Sequence, residues 1–212
     1  MVAWVSGSNL APVHARVKGP REQRPGMAPA STRARTPARP GRVRGVGRPT
    51  SNDAVAIVTG GSRGAGRAIA RELASRGYAV AVVYLRDQRD AESAVDEILA
   101  AGGTALTVRA DVADALDVER LFDETKAAFG EVDLVVHAAT QSASVVTSQA
   151  ARRLRHGGAI VDVAGSDAIP PALAAELRAR DITVIGLAPG TESPGADEDI
   201  RELVAVLERW VE

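Results

Sequence analysis

The sequence predicts an α/β fold, a doubly wound parallel sheet of about six strands with helices on both faces. Three observations predict it. Past residue 53, short apolar runs alternate with amphipathic stretches. The runs are near-continuous Val, Ile, Leu and Ala, as strands buried on both faces must be. A glycine-rich turn, Thr59-Gly60-Gly61-Ser62-Arg63-Gly64-Ala65-Gly66, joins the first run to the first amphipathic stretch.

The strands are expected at 54–59, 79–84, 104–109, 132–137, 158–163 and 182–187. A helix over Arg67–Arg76 follows the glycine turn. Ala91, Ala94, Val95, Ile98 and Leu99 recur at helical spacing, as do Val118, Leu121, Phe122, Thr125 and Phe129, so each stretch is a one-sided helix lying on a sheet. Asp114 is placed to cap the second of these, and Gly77, Gly102 and Gly130 end the helices before them. Shorter helices are expected at Val145–Arg155 and Leu173–Arg180, with a last amphipathic helix through Ile200, Leu203, Val204, Leu207 and Val211. The two later crossovers are short, yet both exceed the roughly dozen residues a parallel connection needs. The simplest arrangement places the strands in the order third, second, first, fourth, fifth, sixth. No seventh strand is expected after Pro189-Gly190.

Two segments of opposed charge divide the chain. Residues 1–52 carry ten basic residues and one acid, a charge of +9, whereas 53–212 carry 16 basic and 26 acidic residues, a charge of −10. Beyond Met1-Val2-Ala3-Trp4-Val5 the first segment is rich in Pro, Gly, Ala and Arg without periodicity, which reads as a disordered basic tail at 1–52 before a domain at 53–212. Such a tail attracts polyanions, but without interleaved aromatics it predicts no nucleic-acid partner. Its Arg-rich, acid-poor composition leaves an organelle transit peptide or a translation start at Met27 open beside a cytoplasmic location. No run approaches the roughly 20 apolar residues of a membrane span. Cysteine is absent, and the scattered His14, His137 and His156 lack metal-ligand spacing, so neither a thiol nucleophile nor a metal site is expected.

The glycine turn carries the chemistry. Glycines let main-chain N–H groups approach a pyrophosphate with no Cβ in the way, at a helix N-terminus whose dipole favours anions. A strand before it and a helix after it are the context that makes such a pattern a dinucleotide phosphate loop.

Residues 59–66 match Thr-Gly-x-x-x-Gly-x-Gly, and the chain from Ala54 to about Gly190 resembles the short-chain dehydrogenases/reductases, particularly their 3-oxoacyl reductase branch. Ala110-Asp111-Val112 is similar to the family's adenine-contacting Asp-Val, Asp133 through Thr140 to its fourth strand with the Asn-Asn-Ala-Gly that follows, and Leu187-Ala188-Pro189-Gly190 to its Pro-Gly turn. The resemblance implies a Rossmann-like domain that binds NAD(P). The implied cofactor contacts are Thr59, Gly60, Ser62, Arg63, Gly64, Ala65, Gly66, Arg86, Asp111, Val112, Ala138, Pro189 and Gly190. An acid at the end of the second strand would hold the ribose of NAD, and a base the extra phosphate of NADP. Here that strand ends Tyr84-Leu85-Arg86, and Arg63 is a second cation within the loop, so NADP(H) is preferred over NAD(H). A small-molecule carbonyl or alcohol substrate and a homo-oligomer are what the family implies.

The family's proton donor is a Tyr whose pKa is lowered by a Lys four positions on. Tyr78 is followed at that spacing by Val82 and Tyr84 by Gln88, and the lysine beyond the tail is Lys126. His137 and Ala138 stand where the family has two asparagines. His137 is the candidate replacement acid, with a hydrogen-bonded residue at the cofactor pocket as the alternative. The expected function is an NADP(H)-binding oxidoreductase with a remodelled or impaired active site, and the alternative a catalytically inactive nucleotide-binding protein.

Overall fold

A computed structural model of the chain describes residues 2–5, 54–141, 143–163 and 169–187. The strands are β1 (Val2–Val5), β2 (Val55–Thr59), β3 (Ala79–Tyr84), β4 (Thr104–Arg109), β5 (Val132–His137), β6 (Leu154–Asp162) and β7 (Thr183–Leu187). The helices are α1 (Gly64–Ser75), α2 (Gln88–Ala100), α3 (Ala115–Phe129), α4 (Ser144–Arg153) and α5 (Pro171–Ala179). All strands run parallel in the order β1-β7-β6-β5-β2-β3-β4. From β4 to β7 this is the expected order.

Alternation within the all-apolar runs decides which helix each residue meets. In β2, Ala56 and Val58 join the core formed with Ile69, Leu73, Val95 and Ile98 of α1 and α2. Val55 and Ile57 join the opposite core, built with Val118, Leu121 and Phe122 of α3, Val146 and Ala150 of α4 and Leu177 of α5. Successive side chains of a strand point to opposite faces, so one run supplies both layers. Each fully buried aliphatic side chain contributes about 1.5–3 kcal/mol, which makes the paired cores the main source of stability.

Helix ends follow local chemistry. The Asp114 carboxylate accepts the N–H groups of Leu116 and Asp117 at 2.9 and 3.3 Å, capping α3 as expected. At the other end Gly130 adopts φ 105°, where a side chain would be strained.

One expectation is extended and another corrected. Beside the six expected strands, Val2–Val5 pairs in parallel along β7, from Val2 with Val184 to Val5 with Leu187, as a short edge strand. Four residues, three of them β-prone, carry no strand signature by themselves; a parallel edge gives them partners. The rest of the segment 1–52, and the helix expected after Gly190, lie outside the described residues. The correction concerns β6, which begins at Leu154 rather than 158, directly after α4. Leu154 is fully buried in the core beneath α3 and α4, and the neighbouring Arg155 pairs with Asp133 at 3.1 Å. Burial of Leu154 thus outweighs one more turn of helix.

Register sets the site. Thr59 stands beside Val83 on one side and His137 on the other, and His137 beside Asp162, so one row of residues marks the carboxyl ends of β3, β2, β5 and β6. Chain order reverses between β2 and β5, which opens a crevice at the switch.

Candidate cofactor site

A cleft of about 630 Å³ lies at this switch point. One wall is the glycine turn with the start of α1, namely Gly60, Ser62, Arg63, Gly64, Ala65 and Gly66. Val83 and Tyr84 at the end of β3, Leu85, Arg86 and Asp87 after it, and Ala110 and Val112 after β4 form one end. Ala138, Ala139, Thr140 and Gln141 after β5, with Val163 after β6, form the other.

The turn is shaped as an anion cradle. No side chain caps α1, and its first turn carries no acid, in contrast to the capped α3. Its leading N–H groups therefore face the cleft with the positive end of the helix dipole behind them. A Cβ at Gly60 would lie 2.9 Å from the Ala138 carbonyl oxygen, and one at Gly66 only 2.4 Å from that of Gly60, so both glycines are required by close backbone approach. Gly64 has φ 55° and nothing within 4 Å of where its Cβ would project. The backbone is packed tightly from behind and left open in front, which fits a pyrophosphate.

The expected contacts divide three ways. Gly60, Ser62, Arg63, Gly64, Ala65, Gly66, Arg86, Val112 and Ala138 line the cleft. Thr59 and Asp111 stand behind it: Thr59 is fully buried, and the Asp111 carboxylate accepts the N–H of Ala113 at 3.1 Å, shaping the turn that presents Val112. Pro189 and Gly190 lie outside the described residues. Sequence reasoning missed Asp87, Thr140 and Gln141. Their signal was positional, since each follows a strand that ends at the crevice.

His137, the candidate replacement acid, lies behind the cleft. Its ring is 0 % exposed, with Nδ1 2.9 Å from Thr59 Oγ1 and Nε2 2.8 Å from the Gln141 carbonyl oxygen. Both nitrogens are hydrogen-bonded and His137 is not among the residues lining the cleft, the arrangement expected of a hydrogen-bonded residue beside the cofactor pocket.

At the far end, Arg63 forms an ion pair with Asp87 and lies 4.0 Å from Asp90. These side chains are about half exposed, where water screens the attraction and a ligand phosphate can compete for the guanidinium. Tyr84 is the phenol of the cleft, and burial pushes its hydroxyl above the ordinary value, opposed by Arg109 and reinforced by Glu92. Burial and the Asp133 carboxylate raise Tyr78 too, with Arg76 opposing. Neither tyrosine has a lysine four positions on, and Lys126 is paired with Glu131.

A glycine cradle at the switch point of a doubly wound sheet defines a dinucleotide-binding α/β protein. Comparison with known proteins makes this narrower. A family model described as short chain dehydrogenase matches residues 54–162, and the chain belongs to that family. Over 82 residues the chain is 45% identical to a hydroxynaphthalene reductase-like protein of Metarhizium robertsii and to a 3-oxoacyl-(acyl-carrier-protein) reductase of Staphylococcus aureus. These 82 residues are 39% of this chain and 31% and 33% of the two relatives, so the chain spans about a third of the length of the curated relatives it matches. Among solved structures, a dehydrogenase/reductase from Sinorhizobium meliloti 1021 is 30% identical with a TM-score of 0.55, covering 73% of this chain and 87% of that one. A short chain dehydrogenase from Burkholderia cenocepacia J2315, solved in complex with NADP, is 26% identical with a TM-score of 0.56, covering 72% of this chain and 89% of that one.

Proposed function

We propose that this chain binds NADP(H) in the cleft and acts as an oxidoreductase on a small carbonyl or alcohol substrate, with no side-chain proton donor of the family's kind. The observation that carries the reading is the uncapped start of α1 behind Gly60, Gly64 and Gly66, facing open space. The N–H groups of Gly64, Ala65 and Gly66 would hold the pyrophosphate, while Val112 and Ala110 would pack against the adenine. Arg63 and Arg86 would take the 2′-phosphate, as planar guanidinium groups suit it. Bound there, the cofactor supplies a hydride; the protein's part is to hold it and to exclude water along Ala138, Ala139 and Val163.

A missing acid costs about 10² to 10⁴ in rate, while proximity to the cofactor retains part of the acceleration. Turnover on this reading is slow and carries no steep pH dependence from a phenol. Thermal shift with NADPH and NADH, followed by NADPH consumption against aldehydes, ketones and acyl thioesters, tests it. A higher melting temperature with NADPH than with NADH, together with slow substrate-dependent oxidation, is the expected result. No shift with either cofactor overturns the binding reading.

A second reading, a catalytically silent nucleotide binder, is favoured by the burial of His137 behind the cleft. Tight NADPH binding without oxidation across the whole panel would establish it.

A further inference from the structure

We propose that His137 is a positioning residue, a hydrogen-bonded imidazole clamp that holds the loop after β5 against the glycine turn and so sets the shape of the cleft for its cofactor. The inference rests on the reading of the cleft as an NADP(H) site.

Hydrogen-bond chemistry assigns the tautomer. The Gln141 carbonyl 2.8 Å from Nε2 can only accept, so Nε2 carries the proton and donates it. In the neutral ring Nδ1 then holds a lone pair, and the Thr59 hydroxyl 2.9 Å away donates to it. One ring thus satisfies a hydroxyl 78 positions away in sequence and a carbonyl four positions on.

Those two partners stand on opposite sides of the cleft's base. Thr59 ends β2 and leads into Gly60, where the backbone passes so near Ala138 that no Cβ would fit. Gln141 ends the segment Ala138–Gln141 that forms the facing wall. Backbone bonds from Ala138 N–H to the Thr59 carbonyl at 3.1 Å, and from Val163 N–H to the His137 carbonyl at 3.0 Å, fix the strand ends. Beyond Ala138, the side chain of His137 adds a hydrogen-bonded tie between the wall and the sheet, beside the packing of Ala139 against the core. An aliphatic residue would fill the same volume without that tie.

The test is made on the full chain. Nitrogen NMR of the neutral imidazole is expected to show the Nε2–H tautomer with Nδ1 unprotonated; an Nδ1–H neutral ring overturns the clamp. His137→Leu keeps the volume and removes both bonds, and its NADPH affinity is expected to fall about tenfold, the scale of a lost buried bond. His137→Gln places an amide N–H₂ near the Nε2 position and is expected to recover most of that affinity. His137→Asn mimics only the Nδ1 side and is expected to recover less. A His137→Leu protein that binds NADPH as tightly as the parent overturns the positioning role. If the parent chain itself binds no NADPH, the reading of the cleft fails and the positioning role with it, while the NMR spectrum still decides the clamp. Melting temperatures without cofactor separate general destabilisation from loss of the loop contact, because only the latter follows the Gln and Asn series.

Discussion

The Asp117 carboxylate accepts the backbone N–H of Asp111 at 2.9 Å, joining the first turn of α3 to the loop that carries Val112 into the cleft. Partial burial opposes the charge, but the Asp111 N–H and the Arg120 guanidinium outweigh it and hold Asp117 below the ordinary carboxylate range. The folded pKa is depressed, so the stabilisation is present above the unfolded value of about 3.9 and is lost as pH falls through the folded value. Asp117→Asn should therefore melt lower than the parent at pH 7. The gap should narrow on acidification below about pH 4, as thermal unfolding across a pH series would show.

Gly66 and Gly64 separate two uses of glycine. At Gly66 an added Cβ would meet the Gly60 carbonyl oxygen at 2.4 Å, whereas at Gly64 it would meet nothing but would strain a backbone at φ 55°. Gly66→Ala should deform the turn and abolish detectable NADPH binding. Gly64→Ala should cost about 1 kcal/mol of stability from φ alone. Paired denaturant melts and cofactor titrations distinguish the two.

The Arg63–Asp87 pair predicts how the nucleotide is selected. Asp87→Ala releases the guanidinium and should tighten NADPH binding a few-fold with little change for NADH, since an exposed pair is cheap to break. Arg63→Ala should weaken NADPH about tenfold and leave NADH nearly unchanged, because a charge-assisted contact to phosphate is lost. Equal effects on both cofactors in a calorimetric titration would place the 2′-phosphate elsewhere.

The α3 cap gives a stability prediction far from the glycine turn. Removing the carboxylate in Asp114→Ala leaves the N–H groups of Leu116 and Asp117 without this acceptor and should cost about 1 kcal/mol in urea unfolding. NADPH affinity should change much less than stability, since Asp114 does not line the cleft.

Alone, the sequence determined what depends on neighbouring residues. The apolar runs located β2 to β5 to within a residue, because a strand buried on both faces must be apolar throughout. Asp114 and Gly130 marked the ends of α3, because capping is settled within a few positions of the chain. The glycine turn was legible for the same reason, its spacing being set within eight positions. Tertiary structure decided whatever needs a partner brought from elsewhere. The sequence left His137 between an acid and a hydrogen-bonded residue; docking of β5 beside β2 gave it Thr59 as a partner. Val2–Val5 became a strand only against the edge of β7, and Arg63 found Asp87 only where the loop after β3 meets the glycine turn. Proximity of that kind is set by packing, and no local pattern encodes it.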